Sequence, residues 1–143
     1  MKKILFFIFI LSCSLFGMEK PEYIKSISES EYDKGDYTLK VEFHEGFSDD
    51  GTLGINFIRL ANSLKYAQSS LKDAKWVYVV LIDQSGEEVN GLELATKLVN
   101  VDTSNKKGMT LYKEVISNGN VLANQATITS LKEFIENNYI PTM

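Results

Sequence analysis

Trp76-Val77-Tyr78-Val79-Val80-Leu81-Ile82 decides how the rest of this chain is read. All seven residues are apolar, and most are β-branched or aromatic. Such a run predicts a strand buried on both faces, central in a sheet. Asp83-Gln84-Ser85-Gly86 follows as a turn, with Gly86 free to take a positive φ. Upstream, Leu53, Phe57, Leu60, Leu64, Ala67 and Leu71 recur at alternating steps of four and three. They form one stripe on a helix of about 18 residues. Asp50 or Thr52 is placed to cap it, and Lys72 suits its last turn. Asn56, Arg59, Ser63 and Ser70 lie off the stripe.

Before that helix, Asp36 to His44 alternates. Tyr37, Leu39, Val41 and Phe43 share one side, and Thr38, Lys40, Glu42 and His44 share the other, as in a half-buried strand. After the turn, Glu87 to Val101 is read as a hairpin partner, although Leu94, Leu98 and Val101 also fit a helical face. Met109 to Ser117 reads as a short helix stopped by Asn118-Gly119. Ser130-Leu131-Lys132-Glu133 is a capping box that opens a final helix, closed by Pro141. The expected fold is α+β: a small mixed β-sheet of about three strands, one long amphipathic helix packed on a face, and a C-terminal helix.

The front of the chain predicts export. Lys2 and Lys3 precede the apolar run from Ile4 to Leu11, and Ser12, Cys13, Ser14 and Gly17 supply small residues for cleavage. This is the anatomy of a signal peptide over residues 1–17, too short and too interrupted for a permanent span. Residues 18–33 are polar, with Pro21 and the run Ser26-Ile27-Ser28-Glu29-Ser30-Glu31, and read as a tether. Residues 34–143 then make a single globular α+β domain. Ile10-Leu11-Ser12-Cys13 resembles a bacterial lipobox. The resemblance implies lipid attachment at Cys13 and a membrane tether through lipid alone. Cleavage after Ser14 or Gly17 would instead discard Cys13 and release a soluble product. Cys13 is the only cysteine, so the mature domain has no internal disulfide and must hold by its core.

Composition narrows the function classes. Hydrophobic content of 44% and aromatic content of 11% suit a packed domain. Net charge is −4, and loss of Lys2 and Lys3 leaves 13 Lys+Arg against 19 Asp+Glu, or −6. An acidic domain without a basic cluster larger than Lys106-Lys107 has no electrostatic pull on nucleic acid. Arg59 is the single arginine among fourteen lysines, which disfavours a bidentate phosphate clamp. Abundant Ile, Asn, Lys, Phe and Tyr point to an AT-rich bacterial genome.

No catalytic motif stands out. His44 is the only histidine, so no His pair exists for a metal or a relay. Asp49-Asp50-Gly51 and Asp83 to Glu88 lack the spacing of a calcium loop, and Gly51-Thr52-Leu53-Gly54 lacks that of a phosphate loop. Ser69 and Lys72 formally match Ser-x-x-Lys but stand alone. Trp76 and Tyr78 lie on the same side of their strand, to fill core or line a pocket. The expectation is an exported, non-enzymatic protein-binding or accessory module of a bacterial envelope. It would be periplasmic, lipid-anchored at the outer membrane, or extracellular, and would need no cofactor. Its contact surface would be a sheet edge, with the hairpin strand as that edge. One alternative is a small envelope hydrolase built on His44, Asp49 and Asp50. The other is a small-ligand carrier with a pocket between helix and sheet.

Overall fold

The computed structural model describes residues 18–45 and 50–137. The expected signal peptide, with Cys13, lies outside the described residues, as do Asp49 and Pro141. The elements are β1 (Ile24–Glu29), β2 (Asp36–Glu42), α1 (Asp50–Ser70), β3 (Trp76–Ile82), β4 (Glu88–Lys97), a 3-10 turn (Leu98–Asn100), α2 (Met109–Asn118), β5 (Val121–Ala123) and α3 (Gln125–Asn137). The class is α+β, and the sheet is mixed. It has five strands in the order β1-β2-β3-β4-β5, all antiparallel neighbours except the parallel pair β2/β3. The parallel pair is joined through α1, because two parallel strands need a crossover long enough to hold a helix.

Five strands replace the expected three. β1 arises within the segment predicted as a tether. Its register passes from Ile24↔Val41 to Ser26↔Lys40, so Lys25 is an extra residue in a bulge. The bulge leaves Ile24 and Ile27 both packed against the core at a spacing of three, which breaks the period of two that marks a strand. β5 has only three residues, too few for any periodicity to show.

The buried faces of β2, β3 and β4 carry Leu39 and Val41, Val77, Val79 and Leu81, and Leu92 and Leu94. Together with Ile24 they share one hydrophobic cluster with Phe57, Leu60, Leu64 and Ala67 of α1, Leu111 and Val115 of α2, and Leu131 and Ile135 of α3. All three helices therefore sit on one face of the sheet. β3 is central as expected, but its outer side is covered only toward its end, where Ile82 is buried; Trp76 and Tyr78 on that side are 36% and 38% exposed. The hairpin strand β4 is not an edge, because β5 pairs with it.

Helix α1 buries more than its Leu/Phe/Ala stripe. Ile58 and Ala61 widen it, and Asn56 and Ser63 are also fully buried, although they lie off the predicted stripe. Asn56 and Ser63 are seven residues apart, one column beside Phe57 and Leu64. Ser63 donates its hydroxyl to the Arg59 carbonyl at 2.6 Å. Asn56 accepts from the His44 N–H at 2.8 Å and donates to the carbonyls of His44 and Thr52, each at 3.0 Å. This claim on His44 ends β2 at Glu42 rather than at His44. Lys72 falls beyond the end of α1. α3 begins five residues ahead of the predicted capping box, because Asn124 accepts from the Thr127 N–H at 2.8 Å and caps it.

Gly35 fastens the entry to β2 and β3. Its φ is +92°, and an added Cβ would meet the Asp73 carbonyl oxygen at 3.0 Å. Its own carbonyl accepts from the N–H groups of Lys75 at 2.7 Å and Trp76 at 3.2 Å. Gly35→Ala should therefore lower stability by about 1–3 kcal/mol, through a left-handed backbone that a side chain resists. Urea unfolding checks this, and an unchanged midpoint would contradict the described turn.

Candidate functional site

The uncovered face of the sheet is the most distinctive surface in the fold. The register places its residues in rows across the strands. Asp36, Trp76 and Lys97 form the first row, Thr38, Tyr78 and Ala95 the second, and Lys40, Val80 and Glu93 the third. β1 adds Ser28 and Ser26 beside the second and third rows, and β5 adds Leu122 beside Glu93. Trp76 and Tyr78 are two apart on β3, so both rings rise from the same side. They stack with centroids 6.4 Å apart and planes 14° from parallel. Leu122 is 40% exposed and extends the apolar ground toward the β5 edge. Lys40 and Lys97, Asp36 and Glu93 surround the rings, and none of the four enters an ion pair among the described residues.

Exposed aromatics of this kind are an unusual cost for a monomer in water. Amphipathic rings, whose apolar bodies carry a polar handle, are also the side chains most used in protein contacts. Sequence reasoning places Trp76 and Tyr78 on one side, to fill core or line a pocket; in the structure both rings are exposed on the open face. It missed Leu122 and the four charges, whose relation to the rings is set by strand register and leaves no local pattern.

His44 is exposed, and its main-chain N–H and carbonyl are both bonded to the Asn56 side chain. Asp50 opens α1, with its side chain outside the described residues. The described residues hold no group of three His, Cys, Asp or Glu side chains arranged to bind a metal.

A shallow cavity of about 320 Å³ lies where β2 and β3 end, lined by Glu42, Phe43, Glu45, Asp83, Gln84 and Ser85. The carboxylate of Asp83 is committed to its own turn. It accepts from the Ser85 hydroxyl at 2.6 Å and from the N–H groups of Ser85 and Glu87 at 2.9 and 3.0 Å. Those bonds, the Ser85 hydroxyl foremost, hold its pKa below the usual carboxylate value. Glu42 is paired to Lys25 at 3.7 Å. Arg59 donates to the Glu42 carbonyl at 2.7 Å and lies 5.2 Å from the centroid of the Tyr23 ring. It ties α1 to the end of β2. Between α1 and the sheet, the fully buried Phe57, Leu60, Leu64, Leu39 and Val79 occupy the space a carried ligand would need.

The loop after β4 is held by polar side chains. Gln68 donates to the Val101 carbonyl at 2.7 Å, and accepts from the Thr103 N–H at 2.8 Å and from the Thr103 hydroxyl. Glu114 accepts from the Asp102 N–H at 2.8 Å and pairs with Lys106 at 3.2 Å. The Asp102 N–H is the main reason that Glu114 titrates below its ordinary value, and the Ser104 hydroxyl does the same for Asp102. A carboxylate whose pKa is lowered by folding stabilises the fold above its unfolded pKa, and that stabilisation is lost as pH falls. The urea midpoint should therefore drop as pH is taken below about 4. Glu114→Gln should flatten part of that drop, and an equally steep acid limb in the variant would contradict the assignment.

No helix among the described residues is long and apolar enough to cross a membrane. Comparison with protein-family models, with curated proteins and with solved structures finds no match to this chain.

Proposed function

We propose that this chain is an exported, non-enzymatic contact module of a bacterial envelope, and that the open face of its sheet is the contact surface. The observation that carries the reading is the stacked Trp76/Tyr78 pair, exposed at the centre of a sheet whose other face is fully packed. It moves the expected contact surface from a sheet edge to a sheet face. Export rests on the apolar leader at residues 4–11 and its small-residue exit. The partner is a protein of the compartment the leader addresses, held to a membrane by lipid if Cys13 is retained.

Two measurements on the full chain test this. Fractionation with mass spectrometry of the mature N-terminus should find processed protein outside the cytoplasm, beginning at a lipid-modified Cys13 or downstream of it. A photo-crosslinking amino acid at position 78 should give a discrete protein adduct. The same group at Lys113, exposed on α2, should not. Unprocessed cytosolic protein would defeat the export half of the proposal, and no adduct from position 78 would defeat the contact half.

A further inference from the structure

The four charges within the three rows form an alternating square, and the next row adds Glu42, paired to Lys25, and Glu88 on either side of Ile82. Asp36 and Glu93 occupy one diagonal, Lys40 and Lys97 the other, with Tyr78 at the centre. Neighbouring strands are ~4.8 Å apart and alternate residues ~6.7 Å apart, so the square is ~10 Å by ~13 Å. The four formal charges sum to zero, although the chain as a whole is acidic.

This pattern has a symmetry consequence. A closed dimer that buries this face has a two-fold axis in the plane between the two sheets. If the axis runs along β3, each copy's Asp36 faces Lys97 of the other, and each Lys40 faces Glu93. If it runs across the strands, Asp36 faces Lys40 and Lys97 faces Glu93. Both aligned arrangements set each of these four charges against its opposite and Tyr78 against its own copy. The axis along β3 also lays Trp76 on Trp76 but opposes Glu42 to Glu88 in the next row, and the axis across the strands lays Trp76 on Val80. Among the four, only a diagonal axis, the orthogonal way of packing two sheets, sets like against like: Asp36 or Lys40 would meet its own copy. Aligned packing at about −30° is one of the two ways that sheets pack face to face. Electrostatic complementarity of this kind selects partner and register more than it adds affinity.

We infer that the occupant of this face is a second copy of the chain, packed sheet to sheet with strands aligned. The inference rests on the contact reading above and names its partner. Three positions on each of β2, β3 and β4, two on β1 and one on β5 cover ~400 Å² per copy, or ~800 Å² in total, the size of a weak, transient contact. The dimer is therefore weak and reversible, with a Kd in the range of about 10 μM to 1 mM.

Trp76 is the only tryptophan, so its fluorescence reports this interface directly. Purified mature domain should show a concentration-dependent blue shift in emission, together with a rise in mass toward twice the monomer in analytical ultracentrifugation. Lys97→Glu should weaken association at least tenfold while leaving the far-UV circular dichroism unchanged, since Lys97 is exposed and makes no ion pair among the described residues. Restoration in K97E/D36K would place the axis along the strands. Restoration in K97E/E93K would place it across them. Association that neither double variant restores overturns the inference, and so does a strict monomer up to about 1 mM. The crosslinker at position 78 separates the two proposals. An adduct of twice the chain mass supports the second copy. An adduct to another protein only, from a monomeric domain, removes the second copy and leaves the contact face standing. No adduct removes both.

Discussion

Phe57→Ala should lower the unfolding free energy by about 3–5 kcal/mol, the cost of truncating a large core side chain and leaving the space unfilled. Phe57 is fully buried on α1, where that helix crosses the inner face of the sheet. Its ring meets Tyr112 of α2 edge-on at 6.3 Å and 69°. It therefore serves two interfaces at once, helix to sheet and helix to helix. A domain of this size is stable by about 5–15 kcal/mol, so the loss is a large fraction of the whole. Urea unfolding followed at 222 nm gives the value directly. A loss under about 1 kcal/mol, the range of surface substitutions, would mean that α1 does not pack as described. Phe57→Leu should recover most of the loss, because it restores much of the volume without a polar atom.

Asn56→Leu is the second large effect, for a different reason. The branching and the number of heavy atoms are conserved, but the partners of the amide are not. The His44 N–H and the His44 and Thr52 carbonyls all lose a hydrogen bond at a side chain with no exposed surface. A buried polar group left without a partner costs about 1–3 kcal/mol, so the variant should lose about 2–4 kcal/mol in all. Asn56→Asp distinguishes hydrogen bonding from packing. The carboxylate still accepts from His44, but its second oxygen faces two carbonyls and repels them. A proton on that oxygen turns repulsion into a bond. The folded state of the variant therefore binds a proton more readily than the unfolded state, and its deficit should shrink as pH falls and widen as pH rises. This is opposite in sign to the acid limb set by Glu114 and Asp102. Equal deficits for Asn56→Asp at pH 4 and pH 7 would contradict the geometry.

Both residues show where the sequence could be read and where it could not. Phe57 stands in a stripe spaced four and three, and any helix with that stripe must bury it. Asn56 sits one residue earlier with no apolar signature. Its burial follows from a partner twelve residues back in the chain. The same contrast holds between strands. β2 alternates and was legible at nearly its true limits; β4 was placed only somewhere within 87–101, because Leu94, Leu98 and Val101 also fit a helical face. β1 was lost because the Lys25 bulge shifts Ile24 out of phase with Ile27. β5 is too brief to carry a pattern, and only the free edge of β4 makes it a strand.

The candidate site divides in the same way. Trp76 and Tyr78 share a side because strand residues two apart always do. Whether that side meets a helix or water depends on where α1, α2 and α3 are laid.

What the amino-acid order determined alone is local. It includes the 3.6-residue stripe of α1, the alternation of β2, the turn at Gly86 and the apolar length of β3, because side-chain periodicity depends only on near neighbours. What tertiary structure decided is everything that needs two distant segments at once: five strands rather than three, helices on one face only, and four charges squared around two rings. Those depend on register and layer packing, in which a residue's neighbour across the sheet comes from as far as 40 residues away.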